Sequence, residues 1–88
     1  MTEVVNLRHE KYDVLIGRPS KWGNPSQIGR DGNRERVIKM YEVHIRLRPD
    51  LIAALPELVG KPLGCYCHPL PCHGDVLMKL LKELFWEV

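Results

Sequence analysis

The sequence lacks a long hydrophobic run. Its apolar stretches are interrupted by charged residues well before the roughly 18 residues that a membrane-spanning helix needs. The opening residues Met1, Thr2 and Glu3 also lack the basic segment followed by an apolar one that marks a secretory signal. We therefore expect a cytoplasmic protein with no membrane partner.

Two further absences narrow the class of protein. Neither sign of charge dominates, because 13 basic residues stand beside 11 acidic ones and leave a formal net charge of +2. That balance argues against the broad basic face of a dedicated nucleic-acid binder. Cysteine is absent outside the stretch from Cys65 to Cys72, which argues against the disulfide framework of a small secreted domain. Three thiols so close together instead indicate a metal site or a reactive-thiol site in a reducing compartment.

What is present suffices for one folded domain over residues 1–88. Of the 88 residues 44% are hydrophobic and 27% charged, which is typical of a soluble domain with a modest core. The spacing of apolar residues, the helix-capping residues, and the glycines and prolines that interrupt regular structure predict the helices and strands. We predict strands at residues 4–7, 13–17 and 61–67, a long loop at 18–32, a helix capped by Asn33 and ending near Arg48, a short helix from Pro49 to Leu55, and a helix from Gly74 to Val88.

The order of these elements predicts an α/β fold. We expect a small, mostly parallel three-stranded sheet with a βαβ crossover, followed by a C-terminal amphipathic helix. The apolar stripe of that helix, together with Tyr41 and Trp86, is expected to pack in the core; the stripe comprises Val76, Leu77, Leu80, Leu81, Leu84 and Phe85. Ligands of open α/β sheets bind beyond the carboxyl ends of the strands. The loops after Gly17 and after Cys67 both leave such ends, so residues 17–25 and 64–75 should face one crevice.

Residues 64–75 concentrate all three cysteines and two of the four histidines. In a catalytic interpretation, Cys72 lies at a helix N-terminus, where the thiolate is favoured. His73 or His68 then serves as the base, and Asp75 orients an imidazole or binds a substrate hydroxyl. The same helix terminus would also suit a bound anion without any chemistry.

Two alternatives to catalysis stay open for this segment. Cys65, Cys67 and Cys72 with His73 or His68 could supply the ligands of a tetrahedral zinc site, although the one-residue gap is unusual. Period-two geometry would place Cys65 and Cys67 on one side of a strand and Tyr66 on the other. In a structural interpretation, Cys65 and Cys67 are small buried residues at the end of a strand, and Asp75 caps the start of the helix.

Residues 17–25 carry groups that suit a nucleotide or a single-stranded nucleic acid. Arg18 and Lys21 can neutralise a phosphate or carboxylate, Trp22 offers a flat face, and Asn24 has donor and acceptor atoms. An equally weighted alternative has Trp22 filling the edge of the core and Asn24 closing a turn. No phosphate-loop fingerprint is present to decide between them.

The chain resembles the uncharacterised family known as domain of unknown function 4326. The resemblance covers most of the chain and rests on the runs Gly17–Pro25 and Gly29–Gly32, then Gly60-Lys61, Cys65-Tyr66-Cys67 with Pro69, and Cys72–Leu77. It implies a family that is found in bacteria and phages, and it weakly favours a role in nucleotide or nucleic-acid metabolism. Ser26 stands where members often carry an aromatic residue and Tyr66 where tryptophan is common. We expect these two departures to affect packing and not the polar site.

The main functional hypothesis is a domain that binds a nucleotide or other phosphate-bearing ligand, with or without Cys/His chemistry. The alternative is a non-catalytic zinc-binding module for nucleic-acid or protein interaction, which would unfold when a chelator removes the metal. A small domain has little material to enclose a ligand. A homodimer or a partner chain that completes the crevice, or a subunit that docks through its apolar surface, is therefore a further hypothesis.

Overall fold

The computed structural model describes residues 2–67 and 70–85. Among them, three strands and three α-helices follow one another in the predicted order, and the expected mixed α/β fold is confirmed. The strands are β1 (Glu3–Asn6), β2 (Val14–Leu15) and β3 (Pro62–Cys65); the helices are α1 (Arg34–Arg46), α2 (Pro49–Ala54), which continues into a 3₁₀ turn (Leu55–Leu58), and α3 (His73–Phe85). No helix in the described ranges is long and apolar enough to cross a membrane.

The sheet has the order β1-β3-β2, and both strand pairs are parallel. Leu63 of β3 lies opposite Val4 on one side and Val14 on the other. The connection from β2 to β3 carries α1 and α2, as predicted for a βαβ crossover. Val14 and Leu15 are only half-buried, because β2 is a short edge strand. Full burial begins one residue later, at Ile16.

Helix α1 begins where its cap was predicted. The side chain of Asn33 accepts a hydrogen bond from the Arg36 N–H at 2.9 Å, which satisfies one of the unpaired donors of the first turn. Val37, Tyr41 and Ile45 recur at helical spacing and are buried. The helix ends at Arg46, two residues earlier than expected, because the residue before Pro49 is held in an extended conformation.

Helix α3 begins at His73, one residue before the predicted start. Its stripe buries Val76, Leu77, Leu80 and Leu81 as expected. The last two members of the predicted stripe, Leu84 and Phe85, are instead 42% and 39% exposed, since the final turn runs past the core. The predicted last turn, with Trp86, Glu87 and Val88, lies outside the described residues.

The N-terminus of α3 approaches the sheet closely at Gly74. A Cβ atom at this position would lie 2.9 Å from Ile16 Cδ1 and 2.9 Å from Val4 Cγ2, closer than side chains pack. A side chain at position 74 would force Ile16 and Val4 to shift, so glycine permits this close contact. It brings the start of α3 against the end of β2, and so places Cys72 and His73 beside residues 16–18.

Candidate functional site

A cavity of about 540 Å³ lies beyond the carboxyl ends of β2 and β3, and we call it the crevice. This volume falls within the roughly 300–1,000 Å³ that is usual for small-molecule sites. Its wall is formed by Gly17, Arg18, Asn24, Ser26, Gln27, Ile28, Arg34, Val37, Ile38, Tyr66, Cys67, Pro71, Cys72 and His73. Residues from both predicted segments line it, so the fold brings the two segments together.

Trp22 does not reach the crevice. Its side chain is only 2% exposed and belongs to the hydrophobic core. Its backbone carbonyl accepts a hydrogen bond of 2.6 Å from the Tyr41 hydroxyl, which is itself buried. This corrects the expectation that the indole offers a flat face to a ligand, and agrees with the alternative in which Trp22 fills the core.

The other polar residues of the first segment differ in their surroundings. Lys21 Nζ donates to Glu57 at 3.0 Å and lies 5.4 Å from the Trp22 ring centroid, away from the crevice wall. Asn24 lines the crevice, but its Nδ2 donates to the Val37 carbonyl at 3.0 Å and its Oδ1 accepts from the Ser26 N–H at 2.9 Å. Its amide therefore holds the loop onto α1.

The three cysteines separate into a buried pair, Cys65 and Cys72, and the half-buried Cys67; Cys67 and Cys72 both line the crevice. Cys65 Sγ and Cys72 Sγ are 3.5 Å apart, with exposures of 1% and 3%. Because β3 ends at Cys65, the predicted strand alternation does not extend to Cys67, which is half-buried. Within residues 2–67 and 70–85, no group of three or more Cys, His, Asp or Glu side chains is arranged to hold a metal ion. Although Cys65 and Cys72 are neighbours, the predicted zinc ligands Cys65, Cys67, Cys72 and His73 are not arranged around one point, and His68 lies outside these ranges.

Burial raises the pKa of Cys72 to about 12, with a further contribution from the neighbouring Cys65. The Gly74 N–H in the first turn of α3 acts in the opposite direction but is the weaker influence. Cys72 is thus a neutral thiol at pH 7, contrary to the expectation that the helix terminus favours its thiolate. Loss of solvation outweighs the helix dipole at this position.

Asp75 caps α3 and does not line the crevice. Its Oδ2 accepts from the Cys72 N–H at 3.2 Å, and its own N–H donates to the Cys72 carbonyl at 3.0 Å. This reciprocal arrangement resembles the carboxylate half of a capping box. The negative charge that a helix N-terminus favours is therefore supplied by the protein itself, which leaves less reason to place a ligand anion there.

His73 lines the crevice with a defined tautomer. Its Nε2 is 2.6 Å from the carbonyl oxygen of Ile16. A carbonyl can only accept, so Nε2 carries the proton of the neutral ring and Nδ1 retains a lone pair. Burial lowers the pKa of His73, and the positive charge of Arg18 adds to that effect. At pH 7 the ring is neutral and has both a donor and an acceptor nitrogen.

The charge on the described crevice wall is positive. Arg18 and Arg34 line it, and no described lining residue carries a carboxylate. Arg34 Nη1 donates to the Pro71 carbonyl at 3.0 Å, which connects the start of α1 to the turn before α3. We did not predict Arg34 as a residue of the site. The one signal in the sequence is its position in the first turn of the helix that follows the long loop.

Tyr66 and Ser26 also line the crevice, so the expectation that these two departures lie apart from the polar site is wrong. The Tyr66 side chain is 53% exposed, and the Arg8 guanidinium is 5.5 Å from its ring centroid. Its ring packs over Gly17, where a Cβ atom would lie 3.2 Å from Tyr66 Cε2. The aromatic surface available to a ligand therefore comes from Tyr66.

Comparison with known proteins supports the resemblance noted in the sequence. The family described as Domain of unknown function (DUF4326) matches residues 4–83. The chain belongs to this family. It is 38% identical over 90 residues to an "Uncharacterized 12.4 kDa protein in nrdA-td intergenic region" of Enterobacteria phage T4, across 97% of this chain and 82% of the phage protein. It is also 38% identical over 91 residues to "Uncharacterized protein R718" of Acanthamoeba polyphaga mimivirus, across 83% of this chain and 69% of the viral one. No solved structure matches significantly.

Proposed function

We propose that this protein binds a nucleotide, or another small ligand that carries phosphate, in the crevice. The observation that carries the proposal is the charge of the described wall, where Arg18 and Arg34 stand without a carboxylate among the lining residues. Guanidinium groups pair with phosphate oxygens through two parallel hydrogen bonds and stay charged at all physiological pH values. An anionic ligand is therefore favoured over a neutral or cationic one.

The two arginines suit different roles toward such a ligand. The guanidinium of Arg18 donates no hydrogen bond to another described side chain or backbone group, so its donors are available to phosphate. Arg34 already donates to the Pro71 carbonyl through Nη1 and contributes its charge and remaining donors. Because the arginines come from the loop after β2 and from α1, a phosphate held by both would bridge two elements of the crevice.

The rest of the wall favours a nucleotide over inorganic phosphate. Tyr66 presents a half-exposed aromatic face on which a base can stack. His73 leaves Nδ1 as an acceptor, because its Nε2–H already donates to the Ile16 carbonyl, and Gln27 adds an amide at the same wall. Val37 and Ile38 supply apolar surface. This combination of a mostly apolar pocket and a few polar groups is typical of small-ligand sites.

The test is calorimetric titration of the protein with nucleoside monophosphates and triphosphates, with the unphosphorylated nucleosides and inorganic phosphate as comparisons. We expect a nucleotide to bind more tightly than its nucleoside. Arg18→Gln should weaken that binding by about 10-fold to 100-fold, because a hydrogen bond to a charged group contributes about 1.5–3 kcal/mol. Added salt should weaken binding in the original protein more than in the variant.

Arg48→Gln is the matched control, since it removes the same charge from an arginine paired with Asp50 outside the crevice. This variant should bind nucleotide with unchanged affinity. Equal losses in both arginine variants would mean that the net charge of the protein is responsible. Absence of binding to every nucleotide at millimolar concentration would refute the proposal.

A further inference from the structure

The buried thiol pair lies where the crevice wall meets the core, because Cys72 lines the crevice and Cys65 is enclosed. We infer that Cys65 and Cys72 form a reversible disulfide, and that the co-reactant is a low-molecular-weight disulfide such as glutathione disulfide. This inference assigns a thiol–disulfide site to the junction of β3 and α3. It stands on the geometry of the two sulfur atoms and does not depend on the proposed function.

The sulfur atoms are already close to bonding distance. They are 3.5 Å apart, and a disulfide requires about 2.05 Å, so a combined shift of about 1.5 Å closes the bond. Cys65 is the last residue of β3, and Cys72 immediately precedes α3. Both lie next to regular elements that pack in the same core, so the pair is held together and not brought together by chance motion.

The route for the co-reactant is the crevice, because Cys72 is part of its wall whereas Cys65 is enclosed in the core. Cys72 is a neutral thiol at pH 7 and first loses its proton to solvent. Its thiolate then attacks one sulfur of the small disulfide, which forms a mixed disulfide and releases the first small thiol. The Cys65 thiolate then attacks Cys72 Sγ and displaces the second small thiol. In total two protein thiols lose two electrons and two protons, and one small disulfide becomes two small thiols.

Closure would join Cys65 to Cys72 covalently. Tyr66, Cys67 and Pro71 lie between these two residues in the sequence and line the crevice. In the reduced protein the Pro71 carbonyl accepts a hydrogen bond from Arg34. In the oxidised protein the disulfide would also attach Cys72, and with it the adjacent part of the crevice wall, to the end of β3.

The test is equilibration of the full chain in glutathione buffers with a rising oxidised fraction, followed by acid quenching and blocking of free thiols with N-ethylmaleimide. Mass spectrometry then counts and locates the labels. We expect three labels in reducing buffer and one in oxidising buffer, with the remaining label on Cys67. Reduction should restore all three labels, and the midpoint should not depend on protein concentration.

Variants assign the bond. Cys65→Ser and Cys72→Ser should each prevent the two-electron loss, whereas Cys67→Ser should keep it at the same midpoint. Mapping of the labels in the unmodified protein gives the answer even where a variant fails to fold. The inference is overturned by three labels in the most oxidising buffer, by an intramolecular bond that includes Cys67, or by glutathione adducts that never resolve.

Discussion

The two segments that form the crevice contribute to it in different ways. In residues 17–25, the polar and aromatic side chains mostly hold the fold together: Trp22 is in the core, Asn24 bonds to α1, and only Arg18 presents a charge to the crevice. In residues 64–75, four side chains with polar or aromatic groups or thiols line the crevice. From the sequence we expected residues 17–25 to bind the ligand and residues 64–75 to carry out any reaction. The structure shows that most side chains of residues 17–25 stabilise the fold.

This difference shows why residue type alone is a poor guide to a site. A tryptophan or asparagine that follows a strand can bind a ligand, or it can stabilise the loop in which it lies. Which role it takes depends on whether another element covers it. Here α1 packs over the first segment, whereas Tyr66 of the second segment is exposed. Substitutions at Trp22, Asn24 and His73 test which side chains stabilise the fold and which belong to the site.

The largest effect is expected at Trp22. Trp22→Ala should lower the free energy of unfolding by about 3–5 kcal/mol, because it leaves a cavity in the core. Urea denaturation measures this loss. Trp22→Phe is the control, since it keeps an aromatic ring in the core, and it should bind nucleotide as the original protein does. If the Trp22→Phe protein were stable but had lost its affinity for the ligand, the indole would belong to the site after all.

A smaller effect is expected at Asn24. Asn24→Ala removes the two hydrogen bonds that hold the loop and leaves the Val37 carbonyl and Ser26 N–H without them. The cost should be about 1–3 kcal/mol in the free energy of unfolding. Gln27→Ala, on the same crevice wall, should cost less than about 0.5 kcal/mol. If both substitutions lowered the free energy of unfolding by a similar amount, Asn24 would not differ from Gln27 in its contribution to the fold.

The smallest effect concerns His73 and is visible only as a pH dependence. Burial lowers the pKa of His73 in the folded state, so between that value and the unfolded value of 6.5 the unfolded chain binds more protons. The free energy of unfolding should therefore fall as the pH drops below about 6.5, by about 1.4 kcal/mol for each pKa unit of the lowering.

The measurement is urea denaturation at pH 7.5 and pH 5.5. His73→Gln can still donate to the Ile16 carbonyl but cannot be protonated, so its stability should differ less between the two pH values. His9→Gln serves as the control for an exposed histidine and should retain the full difference. The same dependence on pH in all three proteins would assign the effect to other groups.

The elements of the fold were predictable because each depends on local signals. Asn33 capped α1 as expected, Pro49 ended the preceding segment, and the stripe of α3 was buried up to Leu81. The convergence of residues 17–25 and 64–75 followed from the parallel topology, since both leave the same edge of the sheet. Such inferences need only the order of the elements and general packing rules.

The roles of individual side chains were less predictable, because they depend on contacts between distant parts of the chain. The pKa of Cys72 is raised by burial, and this burial cannot be read from the position of Cys72 next to a helix N-terminus. Arg34 reaches the crevice through the way α1 packs against the turn at Pro71, 37 positions away in sequence. Tyr66 stood between two cysteines and drew attention as a packing residue, yet it is exposed on the crevice wall.

The shortness of the strands has a consequence for how the protein behaves in a crowded solution. In the order β1-β3-β2 the two outer strands form the edges of the sheet, and they measure four and two residues. An exposed edge recruits other chains when it is long, flat and apolar. The β1 edge carries the exposed charge of Glu3, and the β2 edge is too brief to template a partner strand. The lengths of these strands thereby limit edge-to-edge aggregation.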